Sequence, residues 1–554
     1  MRGSTEVLQR IQLLRDRVDR LDVAAILLTL AYFVFLYNYV NLQIPIKLPI
    51  SPDENSLLIT AQRIIENGSF SLTSPLNERY GVKVFVPREF TEVAPNTFVT
   101  IDSPGFAIFL AVANWLHILP FIIPMTAMLG MLAIYRMISV VFEKRAGILV
   151  AAMMGALPNF VFFSNTYFDS VPSFSFLMLS AYFFFKYLRT SKTWRLETCV
   201  FFLALSIFLR PYNALFVVGY VGVIAMLRKR LSLKSVVIGT ASFLFFLAPL
   251  LILNEYVYQD PFRVGYVSPG SLDALTSQKF GLDTYWAAFV YHVILLAPLV
   301  SLLAFFGAII IVLSKRNMLQ GAFYTFLTLL SLAAFLAFGS LSRTYGFYEA
   351  APYTALGRYL MPVYLLLACC AYSFVKRLID LRMKRLSILL VSVVMISLIA
   401  SNLAANALPL IVLEQNRYSG IRQVIQSLPT NSVIFTREYD KVIFPLRDVA
   451  LVYTNSDLSS NPDLKYAVPI VDIDHDLIPL IHEMLLDGFH VFLAPDVDDL
   501  AARLVQAGFY IEGNQGYGFR EVFLPAASSI VILQTSFFTR DFGEVNLPAR
   551  LSLS

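Results

Sequence analysis

Charge is scarce in this chain. Asp, Glu, Lys and Arg make up only 15% of its 554 residues, where a soluble domain carries roughly 25%, so an ordinary cytosolic enzyme is excluded. Cysteine is scarcer still. The three present, Cys199, Cys369 and Cys370, all lie in apolar runs, which excludes a disulfide framework and a cysteine zinc site. Gly 25 and Pro 27 are too few for a collagen-like repeat, and no internal repeat or low-complexity tract is present. The abundant residues are apolar: 57% of the chain is hydrophobic, with 47 Phe and 28 Tyr. A mean hydropathy of +0.66 points to a membrane protein with many spanning helices.

Apolar runs of roughly 20 residues, the length that crosses a bilayer, recur up to about residue 408. The pattern predicts spans near 22–40, 120–142, 146–165, 171–188, 196–209, 212–227, 235–255, 286–313, 318–340, 359–375 and 386–408, about eleven in all. The run 104–118 is shorter and holds Asn114, Trp115 and His117. It reads as a helix lying in the membrane surface, with a further span as the alternative.

Charge orients the spans. Arg2, Arg10, Arg15, Arg17 and Arg20 precede the first, and alternate loops are basic: Lys144 and Arg145; Lys186 to Arg195; Arg228 to Lys234; Lys315 and Arg316; Lys376 to Arg385. The positive-inside rule puts these loops and the N-terminus in the cytosol of a cytoplasmic-membrane protein. An odd number of spans then leaves the C-terminal region outside. Because the first span lacks a small-residue cleavage site, it is expected to act as an anchor. Residues 1–408 form the expected membrane domain, with a large first external loop at 41–103. Residues 409–554 hold eighteen acidic and ten basic residues and read as an extracytoplasmic α/β domain. Its expected strands are Ser432–Thr436, Val449–Thr454, Ala467–Asp472 and His490–Leu493. Its expected helices are Asp476–Leu486 and Val497–Ala507, giving a largely parallel sheet.

Charged groups near a membrane are costly and mark function, and the topology gathers a set on the outer face. Asp53, Glu54, Lys83, Arg88 and Asp102 belong to the first external loop, and Asp169 to the second. Arg210 lies between two later spans, and Arg343, Glu349 and Arg358 precede a late one. Ser51-Pro52-Asp53-Glu54 has the form of a capping box with proline at the first helical position, which gives Glu54 a structural role. Favourable charge at the helix start is the structural reading of Asp53; the functional one is a general base. Asp169 as a helix cap, Arg210 as a snorkelling side chain and Arg358-Tyr359 as an interfacial anchor are the corresponding structural readings.

Acidic residues just after the first span, with Ala61 and Gly68, resemble the first external loop of GT-C glycosyltransferases, the protein O-mannosyltransferases and lipid A aminoarabinose transferases among them. Ser103-Pro104-Gly105, Asn165-Thr166-Tyr167-Phe168-Asp169, Leu209-Arg210-Pro211 and Gly357-Arg358-Tyr359-Leu360-Met361-Pro362 resemble further motifs of that superfamily, in order, over roughly residues 20–375. The resemblance implies an inverting transfer of a hexosyl or pentosyl group from a polyprenyl phosphate, such as dolichyl phosphate mannose, to a protein, lipid or glycan acceptor in the cell envelope. It implies Asp53, Asp169 and Glu54 as the catalytic acids. Arg210 and Arg358 would bind the donor phosphate, with Asp102, Tyr359 and Arg343 in support. Asp102-Ser103 stands where aminoarabinose transferases often carry lysine before two prolines, so Lys83 and Arg88 are the substitute phosphate ligands. The loop lacks the Asp-x-Asp of metal-dependent oligosaccharyltransferases. No cofactor is required, although a divalent cation is compatible with the site. Membrane lipids are expected partners and nucleic acid is not. The alternatives are a flippase or transporter of lipid-linked glycans, against which no inverted repeat is seen, and a glycan polymerase or ligase.

Overall fold

The computed structural model describes residues 19–44, 47–227, 233–263, 290, 297–315, 317–338, 355–405, 407–460, 469–513 and 517–524. The chain forms two compact units. Met1–Thr73 and Arg88–Ser419 make the first; Ser74–Pro87 and Gly420–Ser554 make the second.

The first unit is helical. Its elements are α1 (Arg20–Tyr32), α2 (Pro52–Asn67), α3 (Pro104–Trp115), α4 (Leu119–Val141), α5 (Lys144–Gly155), α6 (Pro158–Ser164), α7 (Ser170–Thr190), α8 (Thr193–Leu209), α9 (Val217–Met226), α10 (Leu233–Tyr258), α11 (Pro298–Leu313), α12 (Met318–Phe338), α13 (Met361–Asp380), α14 (Lys384–Ala400) and α15 (Ala407–Ser427). Among the described residues, seven helices are long and apolar enough to cross a membrane, against the eleven spans expected. An eighth is counted if α5 and α6, bent by 68°, are one broken span. The expected spans at 196–209, 212–227 and 286–313 correspond to shorter helices, α8, α9 and α11, and residues 286–297 lie largely outside the described part. Helix α3 has only 12 residues, about 18 Å at the usual rise, too short to cross the ~30 Å apolar core.

Polar side chains close the gaps that breaks in these helices open. The first span loosens into a π-helix at Phe33–Tyr37. Asn165 restores the backbone there, donating to the Leu36 carbonyl at 2.7 Å and accepting from the Val40 N–H at 3.1 Å. At the other end of α1, Asp22 is 2% exposed and accepts from Tyr135, Arg136 and Lys144 at 2.6, 3.0 and 2.7 Å. One carboxylate thereby joins α1 to the facing ends of α4 and α5.

The segment expected as the first external loop, 41–103, carries regular structure among its described residues. Helix α2 begins with the expected capping box and ends at Gly68 in the left-handed conformation. Three short strands follow, β1 (Ser71–Leu72), β2 (Phe90–Ala94) and β3 (Thr97–Thr100), paired antiparallel in the order β1-β3-β2. Strand β3 leads directly into Asp102 and α3.

The second unit is built on β4 (Ser432–Thr436), β5 (Asp448–Leu451), β6 (His490–Leu493), β7 (Tyr510–Glu512) and β8 (Arg520–Phe523), in the order β5-β4-β6-β8-β7. The first three are parallel as expected, whereas β8 and β7 pair antiparallel. Over its described part, 469–472, the expected strand 467–472 is not one; Val471 makes a single backbone bond to Tyr453. Helices α16 (Ile478–Leu486) and α17 (Asp498–Gln506) match the predicted positions to within two residues. Val84 and Phe85, from the first external loop, are buried in this core with Val433, Phe435 and Leu493. The Leu451 N–H donates to the Val84 carbonyl at 3.0 Å.

Candidate active site

Five charged side chains, Asp53, Asp102, Asp169, Arg210 and Arg358, line one cavity in the first unit, together with Phe168, Tyr212 and Tyr359. They come from five separate stretches of chain, and each is held by its own local device.

Asp53 stands in the first turn of α2, where the Ser51 cap and Pro52 fix the helix start. Its Oδ2 accepts from Arg358 Nη1 at 2.7 Å, both side chains being nearly buried, at 15% and 10% exposure. Asp102 follows β3. Its carboxylate accepts from Ser56 Oγ at 2.8 Å, and the Thr100 hydroxyl donates to that serine at 3.0 Å. Burial, followed by the negative charges of Asp53 and Glu89, pushes the Asp102 carboxyl well above the usual carboxylate range; the Ser56 bond and Arg358 oppose this. Asp169 immediately precedes α7 but makes no side-chain cap, so the capping explanation does not account for it. It faces Arg210, with Nε at 3.6 Å from Oδ1. Burial raises its carboxyl and the two arginines pull it back.

Arg210 ends α8 and is only 4% exposed, which rules out a snorkelling side chain. Its guanidinium lies 4.2 Å from the centre of the Tyr359 ring, and that of Arg358 lies 4.9 Å from Phe168 and 5.3 Å from Tyr359. Aromatic faces and carboxylates together balance two buried cations. Two glycines permit this packing. A Cβ on Gly105 would sit 2.1 Å from the Phe208 carbonyl oxygen, and the neighbouring Ser103 donates to that same oxygen at 3.1 Å. The start of α3 is thus clamped on the end of α8, near Arg210. A Cβ on Gly357 would lie 2.4 Å from Asn159 Nδ2, so the close approach that precedes Arg358 also requires glycine.

A smaller cavity shares Arg210, Arg358 and Tyr359 and is otherwise lined by Ser170, Ser173, Asn213 and the apolar Phe174, Phe216, Met361 and Pro362. It contains no carboxylate. The arginine pair therefore divides an acidic chamber from one with hydroxyl, amide and apolar walls.

The other candidates lie elsewhere. Glu54 does not line either cavity; it completes the capping box. Lys83 is exposed and belongs to the second unit, and Arg88 lies in the first but outside both linings. Arg343 and Glu349 fall outside the described residues. Sequence reasoning missed Ser56, Tyr212 and Tyr258. The Tyr258 hydroxyl reaches the Asp102 carbonyl at 2.6 Å. For Ser56 a signal existed: it is three residues after Asp53 on the same helix, hence on the same face. Tyr212 and Tyr258 carried none. Among the described residues, no group of three or more His, Cys, Asp or Glu is placed to hold a metal ion.

No family model and no curated protein matches the sequence. The fold, however, is similar to solved structures. ArnT from Cupriavidus metallidurans bound to undecaprenyl phosphate superposes with a TM-score of 0.56 at 14% identity, over 92% of this chain and 98% of that one. The fold is shared with ArnT. ArnT in the apo state gives 0.55 at 13% identity, over 87% and 94%. An Archaeoglobus fulgidus oligosaccharyltransferase matches at 0.46 and 14% identity, over 77% and 63%. With this shared fold and seven helices long and apolar enough to cross a membrane among the described residues, the chain is a multi-pass integral membrane protein.

Proposed function

We propose that the chain is an inverting glycosyltransferase that moves a hexosyl or pentosyl group from a polyprenyl-phosphate donor to an acceptor hydroxyl on the outer face of the cytoplasmic membrane. The single observation that carries this reading is the Asp53–Arg358 and Asp169–Arg210 pairing around one cavity, in a fold shared with ArnT, whose solved structure holds undecaprenyl phosphate.

The chemistry fits those groups. The acceptor oxygen forms a bond to the anomeric carbon while the bond from that carbon to the phosphate oxygen breaks. The bonding pair leaves with the phosphate, which gains one negative charge, and the acceptor proton passes to a carboxylate. A phosphate leaving group is already a stable anion, so it needs fixed positive charge rather than a strong general acid. Guanidinium provides that charge at any relevant pH and in a bidentate geometry. The sugar belongs in the acidic chamber, where carboxylates accept from its hydroxyls. The phosphate belongs on the carboxylate-free side of Arg210 and Arg358, where like charge does not repel it. As the phosphate engages Arg358, it competes with Asp53 for that cation, and Asp53 is freed to act as the base. Asp169 orients the sugar or the acceptor.

The test is a panel of polyprenyl-phosphate monosaccharides incubated with the purified protein. Release or transfer of sugar, abolished in Asp53→Asn, supports the reading. Vectorial movement of lipid without sugar loss overturns it in favour of a flippase. The outward placement of residues 409–554 is tested by a cysteine introduced at an exposed position such as Tyr510, after replacement of the native cysteines. An impermeant thiol reagent should label it on intact cells, and labelling only after lysis would reject the topology.

A further inference from the structure

We propose that Glu54 and Lys47 form a buried brace that fixes the spacing of Asp53 and Asp169, with both acting as positioning residues rather than as proton carriers. The proposal rests on the glycosyltransferase reading of the cavity.

Glu54 is 1% exposed, and both its oxygens are in use. Oε2 accepts from the backbone N–H of Ile50 at 2.7 Å and of Ser51 at 3.2 Å. Oε1 accepts from the backbone N–H of Tyr167. Asp53 is the residue before Glu54, and Asp169 is two residues after Tyr167. A single carboxylate therefore ties the helix start bearing one catalytic acid to the turn bearing the other, across 113 positions of sequence. With three amides on two oxygens and no place in either cavity lining, Glu54 is not arranged to take a proton from an acceptor. The two adjacent acids have different jobs.

Lys47 completes the device. Its Nζ is buried, makes no hydrogen bond among the described residues and lies 4.1 Å from the centre of the Tyr167 ring. Burial pulls the Lys47 ammonium down to about 7 and pushes the Glu54 carboxyl up, and each charge holds the other against that pull. A carboxylate accepts through both oxygens without hindrance only while ionised, and an ionised group in a dry site needs a counter-charge. Lys47 supplies one without competing for the lone pairs that the three amides occupy. Glutamine at position 54 fails in a specific way: its NH2 must face either the Tyr167 amide or the Ile50 and Ser51 amides, so one of the two joints opens.

The experiment compares Lys47→Met, Glu54→Gln and the double variant Lys47→Met/Glu54→Met in full-length purified protein, with Asp53→Asn as the reference. Readouts are kcat and KM for a polyprenyl-phosphate sugar, thermal unfolding, and hydrogen exchange of the peptide containing Tyr167. Misplacing a catalytic group by about 1 Å costs on the order of 10²-fold. Each single variant should lose kcat on that scale, with KM changed by less than about threefold, and the Tyr167 peptide should exchange faster. Replacing both charges with apolar side chains removes the uncompensated ion but leaves the Ile50, Ser51 and Tyr167 amides without their acceptor, so the double variant should regain only part of the thermal stability lost in Lys47→Met. It should not regain kcat. A double variant that recovers kcat along with its stability would reduce the brace to a folding element and overturn the proposal. If Lys47→Met does not accumulate, the double variant carries the test. If wild type shows no turnover of the sugar, the glycosyltransferase reading fails instead, and if Asp53→Asn keeps its turnover, Asp53 is not the base; in either case exchange at Tyr167 still decides whether the brace exists.

Discussion

Asp53→Asn tests both halves of the ion pair on which the proposed chemistry depends. Asparagine keeps the shape of the side chain and one acceptor oxygen, but loses the charge opposite Arg358. At the 2.7 Å contact the Coulomb attraction is about 6 kcal/mol for an effective dielectric of about 20. Desolvation of the two nearly buried groups offsets most of that. A hydrogen bond to a charged group contributes a net ~1.5–3 kcal/mol, and Asp169 remains near enough to act on Arg358, so a loss of about 2 kcal/mol of stability is expected. The effect on turnover should be larger. Losing the general base costs at least about 10²-fold, or roughly 2.7 kcal/mol of barrier. The assay is a double-mutant cycle of Asp53→Asn and Arg358→Gln, read by thermal unfolding and by turnover of a polyprenyl-phosphate sugar. The stability costs should be non-additive by about 2 kcal/mol, as expected for groups in contact. A folded Asp53→Asn protein that keeps turnover within about threefold of wild type, below the general-base range, would refute the assignment. Additive stability costs would refute the pair itself.

Arg210→Lys and Arg358→Lys retain charge but lose the planar fork; binding of polyprenyl phosphate, measured by calorimetry, should weaken about tenfold or more in each. Asp102→Asn should flatten the pH dependence of stability. A carboxyl raised by burial contributes its stability at pH below its unfolded value, near 4, and that contribution is lost as pH rises through the folded value. The variant should therefore unfold at a higher temperature than wild type at about pH 9, with the gap closing near pH 5. Gly105→Ala forces a Cβ to 2.1 Å from the Phe208 carbonyl oxygen, a backbone contact that cannot yield by rotation; it should cost about 3 kcal/mol or more, seen as a lower yield of folded protein and a lower unfolding temperature. Phe85→Ala should destabilise the second unit by about 3–5 kcal/mol, measured as faster hydrogen exchange in β4 and β5.

What could be read from the sequence followed from what each signal encodes. Apolar runs and loop charge located most of the helices, because burial in lipid is a property of a contiguous segment. Among the described residues fewer helices pass as spans than the eleven expected, since apolarity alone does not distinguish a straight crossing from the pair α5–α6 bent by 68° or from the 17-residue helix α8. The capping box at Ser51–Glu54 was legible because caps are local in sequence, and the same reasoning located β4 and β6. The antiparallel strands β7 and β8 were missed: three and four residues long, they carry too little pattern. Asp53, Asp102, Asp169, Arg210 and Arg358 were all named in advance, since ionised groups beside lipid are rare. Which charges would pair was not legible. Nothing in the spacing of Asp53 and Arg358 announces a contact across 305 positions, nor that Glu54 would reach the Tyr167 amide. Lys47 carries no local sequence signal, because its burial arises only in three dimensions.

The inclusion of Ser74–Pro87 in the second unit bears on how this protein is made and how it can be divided. Val84 and Phe85 leave the ribosome long before β4 and β5, the strands beside which they are buried. The second unit can close its core only after every intervening helix has been synthesised, so two apolar side chains must wait uncovered through most of translation. Its contacts are of high sequence separation and should form late. A fragment starting at Gly420 would lack part of its own interior, and a chain truncated there would leave Phe85 without a cover. Domain exchange with another protein of this fold would therefore have to transplant two separate pieces of gene, one of them from within the loop that carries Asp53 and Asp102.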